Sequence, residues 1–290
     1  MRRWTLPLLI ILSLVFVITI ILSGRSQQTI SFFPLDTDSM MEHAETTLQL
    51  LSEDDTNTYQ MDWKIASLSD KAMYLRQDVS LLFDNGRLRG VQSKWVQNTN
   101  RIKMTEKVKS EDSRHFQSIS FHHGENHYSE DDIRSVQLMS YNELYVIDSP
   151  TTPIASFKIP KNRYETDWKE LLDRSSKQQL LFHWHELFHH FDLNAENYST
   201  FPLVELYQYN DMVLPNMTQI ETKNAIGRLW EGLYKNYIIP ALDPPNDKLD
   251  SFMPLVLIDK KNTHLLVLFE LNGKKEKLIQ RLPQTVNGID

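Results

Sequence analysis

An uncharged run near the N-terminus constrains this chain more than any other feature. Between Trp4 and Gly24 there is no Asp, Glu, Lys or Arg, and Leu, Ile, Val and Phe take most positions. About twenty residues at ~1.5 Å rise cover the roughly 30 Å hydrocarbon thickness of a bilayer. Thr5, Ser13 and Thr19 can return their hydroxyls to helix carbonyls, and Pro7 falls early, where a missing donor costs little. Arg2 and Arg3 precede the run, while only Arg25 follows it closely, ahead of the acidic Asp36, Asp38 and Glu42. That bias predicts an N-terminus in the cytoplasm and a C-terminal domain outside. A cleaved signal peptide would have a shorter core, about 7–15 residues, and small side chains before the cut. Here Ile21 or Leu22 would occupy the minus-three position, so an uncleaved anchor is expected. The expected protein is a single-pass cell-membrane protein that meets the lipid bilayer through residues 4–24.

Composition narrows what the outer part can do. No cysteine occurs, which excludes disulfides, thiolate metal sites and a cysteine nucleophile, and fits a bacterial envelope better than a secreted animal domain. Without Arg2, Arg3 and Arg25 the remainder has 28 basic residues against 38 acidic ones, a balance of about −10. Such a domain is repelled by a nucleic-acid backbone, so no nucleic-acid partner is expected. Phosphate-cradling glycine loops, the G-x-S-x-G elbow and the S-x-x-K motif are absent from the sequence.

Periodicity predicts an α+β architecture: an N-terminal transmembrane helix followed by one extracytoplasmic domain with an antiparallel sheet and a helical segment. Residues 1–25 are the cytoplasmic stub and anchor. Residues 26–57 read as a tether and a helix, with Met40, Met41, Ala44, Leu48 and Leu51 at three- and four-residue spacing. Residues 58–290 form the domain, strand-rich over 58–150, helical over 164–240, with C-terminal strands over 252–282. Asp84-Asn85-Gly86 between apolar runs predicts a tight hairpin. Turn residues around Gly124 predict a second turn, with His122, His123 and His127 facing solvent. Asp167 to Glu170 has the form of a capping box. Trp168, Leu171 and Leu172 are nearly opposite in phase to the apolar residues after Leu180, which predicts a helix break at Ser175-Ser176. A further helix should start at Thr218, with Glu221 as its box partner, and stop at Pro240 and the Pro244-Pro245 pair.

The histidines carry the one chemical lead. His185-Glu186-Leu187-Phe188-His189 is an H-E-x-x-H motif on a predicted helix. Imidazoles at i and i+4 share a face and could ligate zinc, with Glu186 polarising a metal-bound water as general base. Over these residues the segment resembles the zincin metallopeptidases. That resemblance implies His185 and His189 as metal ligands, Glu186 as the catalytic base, and a third protein ligand. Asp192 and Ala195 stand where the metzincin branch has Gly and His, and Glu205, Glu221 and Glu231 are the downstream carboxylates that could serve instead. Helical geometry also admits a plainer arrangement. Around Trp184, the residues Leu180, Leu187 and Phe191 cluster on one face, leaving the histidines at the border between core and water. Two readings follow. The first is a non-catalytic binding or regulatory domain, with another envelope protein as its partner and no cofactor. The second is a membrane-anchored zinc metallopeptidase.

Overall fold

Asn85 and Gly86 take φ angles of 47° and 81°, the paired left-handed residues of a type I′ turn. They join the two longest strands among the described residues, β2 (Thr58–Asp84) and β3 (Arg87–Ser110). In this computed structural model the described residues are 30–54, 58–150, 152–243 and 249–283. The anchor run 4–24, residues 26–29 of the tether and the Pro244-Pro245 pair lie outside them. Among the described residues no helix is long and apolar enough to cross a membrane.

The architecture is sheet-rich α+β. Sheet A joins β2 and β3 to β1 (Met41–Asp54), β4 (Arg114–His127), β5 (Ile133–Ser149) and β6 (Thr152–Phe157), in the order β1-β2-β4-β5-β6 with β3 also on β2. Every pairing is antiparallel. Sheet B has β7 (Tyr198–Pro202), β8 (Leu255–Asp259), β9 (His264–Leu271) and β10 (Lys274–Arg281), in the order β10-β9-β8-β7. Among the described residues the α-helices are α1 (Arg163–His190), α2 (Gln219–Leu233) and the short α3 (Ile239–Leu242).

Sheet A curls because its longest hairpin is interrupted. The β2–β3 ladder runs from Tyr59↔Ser110 to Leu68↔Arg101 and resumes at Met73↔Thr99, so residues 69–72 lie opposite Asn100 alone. A bulge of that size bends the strand and strengthens its twist. The first half of β2 then pairs with β1 and the second half with β4, and β1 is carried across the face of β4 and β5. The apolar part of this interior holds Leu48, Tyr59, Trp63, Ile65, Phe116 and Val146.

Several sequence expectations change here. Residues 41–54 form a strand, not a helix, because β1 buries Thr46 beside Leu48 and a threonine at a buried position disguises the alternation. Gly124 lies within β4, not in a turn. It lies opposite Arg76, where a Cβ would fall on the Met73 sulfur and within 3.0 Å of Arg76 Cδ. The Arg76 side chain needs that space.

α1 is one unbroken helix of 28 residues, capped by Asn162, whose side chain accepts from Glu165 N at 2.9 Å. No break occurs at Ser175-Ser176, and Ser176 is buried. The apolar phases are reconciled by an i, i+4 row. Trp168 and Leu172 pack on Tyr145, Ile147 and Phe157 of sheet A. Leu180 meets the Gly86 turn, and Trp184, Leu187 and Phe188 pack on Leu255, Leu257, Leu266 and Leu268 of sheet B. Each four-residue step rotates the contact by about 40°, so the helix presents different sides to the two sheets. Leu171, Leu181 and Phe182 fall off this row and remain exposed.

The Thr218–Glu221 capping box forms as expected. Pro240 does not stop the helix. A π turn over Tyr234–Ile238 shifts the hydrogen-bond ladder and places Pro240 in the first turn of α3, where no donor is needed.

Candidate functional site

The H-E-x-x-H motif lies on the outward side of α1. Leu187 is fully buried against sheet B, while His185, Glu186 and His189 are exposed. Glu186 Oε2 is 3.8 Å from Lys275 Nζ on β10. The three downstream carboxylates are engaged or placed elsewhere. Glu221 accepts from Thr218 at 2.8 Å, Glu231 from Lys235 at 2.6 Å, and Glu205 lies in the 3₁₀ segment Leu203–Asn210 with its carboxyl pushed up by burial. Among the described residues no group of three or more His, Asp or Glu side chains converges on a metal position.

The second histidine group is in a different environment from the one its sequence suggests. His122 and His123 are fully buried on opposite faces of β4. His122 Nδ1 is 2.8 Å from Asp78 Oδ2, and its Nε2 is 2.8 Å from Ser140 Oγ. The order serine, histidine, aspartate is that of an acyl-transfer triad, assembled from β5, β4 and β2. A neutral ring donates its Nδ1 proton to the carboxylate, and Nε2 accepts from the serine.

The surroundings tie this trio into a larger buried network. Ser140 is also 2.7 Å from Thr46 Oγ1, which reaches across from β1 and is 2.6 Å from Ser120 Oγ. Ser120 donates to Ser80 at 2.7 Å, Ser80 lies 3.1 Å from Ser118, and Trp63 Nε1 donates to Ser118 at 2.9 Å. Ser80, Ser120 and Ser140 are direct cross-strand partners, so they form one rung across β2, β4 and β5. Thr46 and Ser140 are both buried, so the serine hydroxyl is engaged within the sheet interior. Asp78, Ser80, Ser118, Ser120 and His122 have no solvent exposure.

At the other end of the network, Arg76 repairs the interrupted hairpin. It donates to Ser69 Oγ at 2.8 Å, to the Asn100 carbonyl at 2.9 Å and to Ser67 Oγ at 2.6 Å. Asn100 O belongs to the residue facing the bulge, where the ladder offers no partner. Burial pushes the guanidinium pKa down, and Asp78 at 3.7 Å opposes that shift. His123, on the opposite face, is pushed down to about 4 by burial, with the Arg76 charge adding to the shift.

A half-exposed polar cluster fixes the first half of α1 to sheet A. His115 lies 3.0 Å from Glu143 Oε2 and 3.4 Å from Asp173 Oδ1, and stacks on Tyr145 with ring centroids 4.0 Å apart. Lys169 donates to Tyr145 OH and to Asp173, each at 2.6 Å. Burial raises the Glu143 carboxyl, but hydrogen bonds and charge from His115, with the Tyr141 hydroxyl, hold it below its ordinary value. These groups satisfy one another.

One open feature is a slot of about 590 Å³ between the two ends of sheet A. Residues 47–50 of β1 form one wall and residues 156–159 with Lys161 form the other, over Leu144. Among the described residues β1 pairs only with β2 and β6 only with β5, so residues 47–50 of β1 and Ser156 and Phe157 of β6 face this space without a ladder partner on that side. Lys158, Ile159 and Lys161 are exposed at its rim. Sequence reasoning missed the slot, because its walls are about a hundred residues apart and become neighbours only through the curl of the sheet. Neither a protein-family model nor a curated protein sequence matches this chain.

Proposed function

We propose that this chain is a membrane-anchored binding protein, held by residues 4–24 with its N-terminus in the cytoplasm, whose outer domain engages another envelope protein without catalysing a reaction. The anchor follows from the length of the uncharged run and the arginines before it. The observation that carries the binding reading is the slot between β1 and β6. An uncovered strand edge is a template for another chain, and stable proteins ordinarily cover or blunt it.

The lack of native cysteine makes the test direct. Gln280→Cys in the full chain, expressed in bacterial cells, should react with a membrane-impermeant maleimide in intact cells and fractionate with membranes. Labelling only after lysis, or a chain recovered in the soluble fraction, would overturn the placement. The zinc-peptidase alternative rests on His185 and His189 sharing an exposed helix face. Near-stoichiometric zinc that disappears in His189→Ala, together with cleavage of a peptide substrate that disappears in Glu186→Gln, would replace the binding reading with that one.

A further inference from the structure

We infer that the slot between β1 and β6 takes an extended peptide segment carrying acidic and apolar side chains, which adds as a strand and bridges the two ends of sheet A. This rests on the binding reading above and names the chemistry of the partner.

Backbone chemistry selects an extended ligand. The β1 wall offers ladder N–H and C=O groups along a strand edge, residues 47–50 spanning about 13 Å at ~3.3 Å per residue, while the other wall is strand at Ser156 and Phe157. A helix satisfies its own backbone groups and would leave the β1 row unpaired, whereas a strand pairs with that row and offers its second edge to the short β6 wall. Side-chain chemistry then sets the composition. Leu48 and Leu144 are buried at the base, Phe157 is buried in the β6 wall, and Leu50 is half-buried, so alternate residues of the ligand would meet an apolar surface. At the rim, Lys158 and Lys161 place two ammonium groups on a domain whose overall balance is acidic. The Lys158 charge already helps to hold Glu45 of β1 below its ordinary value, after hydrogen bonds from Thr47 and His43. A carboxylate at the ligand end nearest Lys158 and Lys161 would be attracted in the same way.

The probe is a displayed library of nine-residue peptides selected on the full chain in detergent micelles. Enriched peptides should alternate apolar residues with Asp or Glu. Their binding should fall at least tenfold in Lys158→Glu with Lys161→Glu, and should be lost when Gln49→Cys carries a bulky maleimide. The same maleimide on Phe182→Cys, on the exposed side of α1, should leave binding unchanged. Bound peptide should slow hydrogen exchange at residues 47–50 and 156–157. Enriched peptides indifferent to the Gln49 label would overturn the slot assignment while leaving a binding domain. A selection without enrichment would overturn the slot assignment and remove the support of the binding reading, while cell labelling tests the membrane placement and zinc analysis the peptidase alternative separately. A dimer that dissociates on labelling Gln49→Cys would assign the slot to a second copy and also overturn the proposal.

Discussion

His122 Nδ1 lies 2.8 Å from Asp78 Oδ2, and neither side chain has solvent exposure. The same Asp78 offers its other oxygen to Arg76 at 3.7 Å. One buried carboxylate therefore compensates a guanidinium and orients an imidazole. Removing one partner of a buried charge pair leaves the other without compensation, at a cost of about 3–5 kcal/mol. Asp78→Ala should lower the unfolding free energy by that amount, measured by urea denaturation of the detergent-solubilised chain. A change below ~1 kcal/mol would show that Arg76 does not depend on Asp78.

Gly124 tests the same region sterically. Gly124→Ala puts a methyl group on the Met73 sulfur and against Arg76. Overpacking of this kind costs about 1–3 kcal/mol. The loss should be visible as a lower urea midpoint, whereas Gly232→Ala, with its nearest neighbour 3.8 Å away, should keep the wild-type midpoint or raise it.

On α1 the two sides of the motif should behave oppositely. Leu187→Ala removes a fully buried side chain packed on sheet B and should cost about 2–5 kcal/mol. His185→Ala and His189→Ala, both on exposed positions, should stay within about 0.5 kcal/mol of wild type. Comparable losses at all three positions would contradict the register of the helix.

Stability should also fall in mild acid. His123 is held neutral by burial, its folded pKa depressed to about 4 against an unfolded value near 6.5. Between those values the unfolded chain binds more protons than the folded one, so the His123 contribution is complete above ~6.5 and declines as pH falls toward 4. His123→Gln should flatten the stability profile over that interval. Asp36, lowered to about 2, acts further down the scale. Burial raises its pKa, but hydrogen bonds from Asn126, Asp38 N, Ser39 and Tyr128 outweigh that effect. Its contribution is present above the unfolded value near 4 and is lost as pH falls toward 2, and Asp36→Asn should remove that lower limb alone.

What could be read from the sequence, and what could not, divides along a physical line. The Asn85-Gly86 turn and the Thr218–Glu221 box depend on residues within three or four positions of one another, and both formed as expected. β1 did not, because Thr46 is buried facing Ser120 and Ser140, and hydropathy periodicity counts it as surface. The same polar lining hid the interior of sheet A, where Asp78, Ser80, Ser118, Ser120 and His122 occupy core positions. Partners 44 and 18 residues apart, as Asp78 and Ser140 are from His122, leave no spacing to recognise. For α1 the phase conflict was real, but its resolution required knowing that two sheets lie against different sides of one helix. The histidine count pointed to residues 122–123 as unusual and misjudged their surroundings.

The placement of β2 between three neighbours has a bearing on how the chain assembles. Its first half needs β1, which precedes it, and its second half needs β4, which cannot reach it until all of β3 has been laid down. Pairings of such wide separation close slowly, because loop entropy is lost before any contact compensates it. The serine rung, with Thr46 reaching it from β1, closes only when β1, β2, β4 and β5 have all met. Until it closes, the nascent sheet exposes the long edge of β2 to whatever chain is near.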